Sequence, residues 1–179
     1  MTILNEPSSD GGIEVLSAIC TFLMNSPKTK KNDIKNIFQE GSNEKEKKIS
    51  PLVNSTIGRW IELGLFSEED DYLYFSKEIC SYYPQPSQND ISRIIRFTIF
   101  KPENNPIAKY WQTGIETGLL AGDFTKGAAW LLAQDILKLP QKSFADLEPI
   151  AIDQLKISDA RLIRQRDRFI PLIKYMMYL

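Results

Sequence analysis

Histidine is absent from this 179-residue chain, and with it go the commonest general base and the commonest metal ligand. Imidazole triads and histidine-built zinc centres are excluded at once. Cysteine is scarce: Cys20 and Cys80 are each flanked mainly by apolar residues and show no CxxC spacing. That removes a redox pair and predicts two buried structural thiols. The nine glycines are scattered, and "AGDFTKG" lacks phosphate-loop spacing, because Lys126 follows no glycine-rich strand-to-helix turn. Carboxylate pairs such as Asp146 and Glu148 have neither metal-ligand spacing nor a histidine neighbour. No apolar run is long enough to span a bilayer, and "MTILNEPSSDGG" lacks the basic and apolar regions of a secretory signal. The expectation is a cytoplasmic protein off the membrane, not an enzyme, with no catalytic residues, no metal and no cofactor.

What the chain does have is charge unevenly spread. The formal net charge is only −1, yet residues 28–61 carry +4 and residues 62–90 carry −6. Such asymmetry bears on partners, not on fold.

Apolar spacing supplies the elements. Ile13, Leu16, Ile19, Cys20 and Leu23 keep an i, i+3, i+4 rhythm that predicts a first amphipathic helix ending at "NSPK". Asn32 can cap a short second helix carrying Ile34, Ile37 and Phe38 on one face, with Gly41 as its stop. After the charged connector "GSNEKEKK", Ser50 and Pro51 open a third helix over 51–63. At 100° per residue, Val53, Ile57, Trp60 and Ile61 share one face, and Asn54, Ser55, Gly58, Arg59 and Glu62 stand opposite. Gly64 supplies a left-handed cap. From Leu65 the period shortens to two, and "LFS" and "YLYF" flank "EEDD" as strands flank a hairpin turn.

Three short helices followed by a β-hairpin, ending in the phrase "WIELGLFSEEDDYLYFS", resemble the winged helix-turn-helix superfamily over about residues 11–77. The resulting fold expectation is mainly α: an N-terminal winged helix (three helices plus β-hairpin) over 1–84, then an α-helical region over 85–179 beyond the turn-forming "YYPQPSQND". In the second region, helices are expected after Asn89 or Asp90, from Asp123 or Thr125 through Ile136, in "FADLEPIAIDQL", and from Ser158 or Asp159 to the end. The last one, "SDARLIRQRDRFIPLIKYMMYL", has no polar tail, so the second domain is expected to be truncated and to continue in a longer protein. Trp60 and Trp130 are expected in the core, with Trp111 left open as a stacking residue. Together with "RQRDRFIPLIKYMMYL", the hairpin phrase is similar to winged-helix accessory proteins of bacterial phage-defence and DNA-modification clusters. That resemblance implies a non-catalytic subunit that helps partner enzymes engage DNA.

Two uses of these residues stay open. In the first, the third helix enters the major groove: Asn54, Ser55 and Arg59 face base edges, while Lys28, Lys30, Lys31 and Lys35, with Lys45, Lys47 and Lys48, meet phosphates. The partner is then DNA, or a DNA-bound protein complex with other subunits, and a homodimer is one available arrangement. In the second, the chain is a protein–protein scaffold. The acidic wing (Glu68, Glu69, Asp70, Asp71) and the arginine stripe Arg161, Arg164 and Arg168 then dock other proteins. If the domain meets DNA, the four acids are expected to turn away or to engage a basic protein surface, since they repel phosphate.

Overall fold

The computed structural model describes residues 3–4, 12–40, 49–106, 120–134, 144–155 and 166–179. Among these it is mainly helical, with one small antiparallel sheet. The chain divides into two compact units, the first comprising Pro7–Ile99 with Tyr178–Leu179, the second Phe100–Met177 with Met1–Glu6. The division falls after Ile99, and the helix that follows the prolines packs on the first helix.

The first unit opens with α1 (Gly12–Asn25), whose buried residues are the expected five, Ile13, Leu16, Ile19, Cys20 and Leu23. A two-residue strand β1 (Thr29–Lys30) leads directly into α2 (Lys31–Glu40). Among the described side chains of α2, Ile34 is fully buried and Ile37 is half-exposed, so the face carrying Ile34, Ile37 and Phe38 is only partly covered. Next come α3 (Ile49–Glu62), β2 (Phe66–Glu69) and β3 (Tyr72–Phe75). The sheet order is β1-β3-β2, with Thr29 opposite Leu73 and Phe66 opposite Phe75. This layout is compatible with a winged helix.

The third helix ends as its sequence dictates. Gly64 adopts φ 82°, its N–H donates to the Ile61 carbonyl, and the Leu65 N–H reaches back to the Trp60 carbonyl. This is the Schellman arrangement, in which a residue without a Cβ satisfies otherwise orphaned carbonyls. Ser76 then ties the hairpin down: its Oγ donates to the Gly64 carbonyl at 2.8 Å and accepts from the Ile79 N–H. The second of these bonds caps α4 (Lys77–Tyr82), a short helix the apolar period does not announce. Cys80 lies on its exposed side, contrary to the expectation of burial, whereas Cys20 is buried. Burial pushes the Cys20 thiol far up, which removes it as a nucleophile.

A capping box between Ser87 and Asp90 starts a short 3-10 turn (Gln88–Asp90) that leads into α5 (Ile91–Ile99), which buries Ile91, Ile94, Ile95 and Ile99. The second unit contains α6 (Gly122–Leu132), α7 (Phe144–Leu155) and all but the last residue of α8 (Arg166–Tyr178). Asp123 and Thr125 lie inside the first turn of α6 and do not cap it. The Asp123 carboxylate instead accepts the Leu4 N–H, and Thr125 Oγ1 donates to Asn105 Oδ1. Phe124 packs between Phe100 and Tyr175, with centroids 6.1 and 5.9 Å away. Trp60 and Trp130 are core residues, Trp130 donating its indole N–H to Gln154 Oε1. Trp111 lies outside the described residues. No helix is long and apolar enough to cross a membrane, among the described residues.

Candidate nucleic-acid interface

The site expected from sequence centres on α3, and burial decides which of its side chains face outward. The covered stripe is Val53, Thr56, Ile57, Trp60 and Leu63. Thr56 occupies a core position because its Oγ1 donates to the Leu52 carbonyl at 2.9 Å, satisfying the hydroxyl within the helix. Asn54 and Ser55 are half-buried and Glu62 is exposed, so the outward face is the expected one on that side. Arg59 is the correction: it is 3% exposed, placed on the covered edge of the helix between Thr56 and Leu63. A side chain so covered does not present its guanidinium to a base edge.

Around Asn54 the chain builds a polar cleft of about 550 Å³ whose walls include Lys30, Lys31, Asn32 and Lys35 on one side. Glu68, Asp70, Asp71 and Tyr72 of the hairpin line the other. The strand β1 puts the lysines there. Its pairing sets Lys30 opposite Tyr72, and the Lys31 N–H that follows donates to the Asp71 carbonyl at 2.9 Å. Lys31 Nζ then meets Glu68 Oε2 at 2.9 Å. The ammonium groups of Lys28 and Lys30 sit over the Tyr72 ring, 4.8 and 5.8 Å from its centroid, in cation–π range. Lys35 Nζ is steadied by Asn32 Oδ1 at 3.2 Å. Asn54 Oδ1 is buried and has no hydrogen-bond partner among the described residues. Leaving such an acceptor unmet costs roughly 1–3 kcal/mol.

The acids of "EEDD" do not all form the turn. Glu68 and Glu69 belong to β2, and Asp70 and Asp71 are the two turn residues, with φ 52° and 66°. Positive φ at both central positions is the two-residue hairpin geometry that suits strand twist, and aspartate tolerates it better than most residues. Tyr74 donates to Glu69 Oε2 at 3.2 Å. Local desolvation and the Glu69 charge raise its phenol above the ordinary value, so it stays a donor. Of the sequence candidates, then, Lys31, Lys35, Asn54, Glu68, Asp70 and Asp71 line one cleft, and Ser55 and Glu69 lie apart from its lining. Lys30, also offered by the lysine run for phosphate contact, joins them, as does Tyr72, which had not been singled out; the period-two run "YLYF" carried the only signal for it. Lys45, Lys47 and Lys48 lie outside the described residues, as do Arg161 and Arg164 and the side chain of Arg168.

Fold and site together define a small helical domain with a strand-paired hairpin, presenting one helix and a lysine-bearing segment beside a shared polar cleft. The chain matches the DpdG-like family model over residues 1–179 and belongs to that family. The match agrees with the resemblance to accessory proteins of DNA-modification and phage-defence clusters. No curated protein and no solved structure matches it.

Proposed function

We propose that the chain is a non-catalytic, winged-helix subunit of a DNA-modification and defence assembly. It works beside other protein subunits and touches duplex DNA through α3 and the lysines of β1 and α2. One observation carries this reading: Asn54 of α3 shares a cleft with Lys30, Lys31 and Lys35. Phosphate contacts from lysine position a helix, and a half-buried asparagine beside them brings a polar amide toward the base edges. Ser55 adds a small polar group on the half-open face of α3.

The test is binding of the 179-residue chain to a short labelled duplex over a salt series. Three lysine–phosphate contacts give a slope of log K against log salt of about −3. Replacing Lys30 or Lys35 by Met should flatten it by about 1 each, leaving sequence preference intact. A slope unchanged by either variant removes these lysines from the interface. A second reading, docking to a basic protein surface, is favoured by the exposed carboxylates of Glu69, Asp70 and Asp71. It predicts no DNA binding at low salt, with partner binding lost when these acids are neutralised.

A further inference from the structure

We infer that the acidic hairpin is an internal competitor for DNA phosphate, holding Lys31 through Glu68 so that the free chain binds DNA below its intrinsic strength. The inference rests on the DNA-contacting reading of the lysine segment and adds its regulation. The hairpin carboxylates share the cleft with the lysines that would meet phosphate. The contact is also fixed by backbone. Antiparallel pairing of β1 with β3 sets Lys30 opposite Tyr72, and the Lys31 N–H is bonded to the Asp71 carbonyl. Lys31 is therefore tied to the hairpin at its main chain as well as at its ammonium, 2.9 Å from Glu68 Oε2. A phosphate oxygen seeking Lys31 must take the place of that carboxylate oxygen, which has the same charge sign and the same hydrogen-bonding role. Asp70 and Asp71, across a two-residue turn, add repulsion toward the same incoming phosphate.

An ordinary surface ion pair would have the same length. Placement makes the difference here: the acid and the lysine stand across the cleft into which α3 presents Asn54, so the pair and the ligand compete for one space. Both side chains are about a quarter to a third exposed, 25% and 31%, so the pair is open to exchange. Exposed pairs of this kind shift an equilibrium by about two- to fivefold, and salt weakens them.

The experiment measures duplex affinity of the 179-residue chain for wild type, Glu68→Gln, Lys31→Met and the double variant, at about 50 mM and about 300 mM salt. Thermal melting of each form checks folding. Glu68→Gln is expected to raise affinity about two- to fivefold at low salt and less at high salt. In the Lys31→Met background the same change should gain clearly less, because only the acid's direct repulsion of phosphate is then relieved. Adding Asp70→Asn and Asp71→Asn, which keep residues that tolerate positive φ, should raise affinity further. If wild type binds DNA and Glu68→Gln gains nothing, or gains equally without Lys31, the competitor is overturned and the DNA reading stands. If no form binds DNA even at low salt, both fall.

Discussion

Gly58 stands on the outward side of α3 with open space where a side chain would be. Its φ is not in the left-handed region, so neither packing nor backbone geometry calls for glycine there. Gly58→Ala is therefore expected to stabilise the first unit by up to about 1 kcal/mol through helix propensity, read as a higher melting temperature. Gly58→Trp should leave the fold intact and cut duplex affinity severely if α3 lies against DNA; unchanged affinity would take this face out of the interface. Trp60, two positions on, is 1% exposed, and Trp60→Ala should cost about 3–5 kcal/mol, measurable by denaturant titration. Periodicity made Trp60, Asn54 and Ser55 legible, because alternating exposure around a helix follows from 100° steps. Arg59 was not legible. It sits on the margin of the apolar stripe, and only the tertiary cover over Thr56 and Leu63 decides that margin.

The hairpin shows the same division at the level of elements. Its strands follow from the change of period, whereas its tight turn does not, since four consecutive acids give no cue that only Asp70 and Asp71 turn. Asp71→Gly should relieve the positive φ of 66° and stabilise the hairpin by about 0.5–1 kcal/mol; a lower melting temperature would contradict that geometry. The strand β1 was hidden because two residues show no period, and pairing with β3 alone defines it. The capping box before α5 carries a pH signature. Hydrogen bonds from the Ser87 hydroxyl and backbone N–H, with a smaller contribution from Arg93, hold the Asp90 carboxyl below its ordinary range. A depressed carboxyl stabilises the fold above its unfolded value, and that contribution is lost as pH falls through the lowered one. An NMR titration should show Asp90 protonating late, and Ser87→Ala should return it toward the ordinary value.

For the whole molecule, a net charge near zero conceals two opposed segments that the fold brings face to face. The +4 of residues 28–61 and the −6 of residues 62–90 look like a conflict along the chain. In space, Lys31 and Glu68 resolve part of it as a contact. No sequence cue announces this contact, because the two-residue strand β1 is what joins the two segments. Membership of the DpdG-like family sets the wider frame, and the function proposed within it depends on one interface. The most direct measurement is affinity of the 179-residue chain for duplex DNA as salt rises from about 50 to about 300 mM. Binding is expected with a log–log slope near −3 that flattens by about 1 when Lys35 is replaced by Met. No binding at the lowest salt, or a slope indifferent to Lys30 and Lys35, would contradict it.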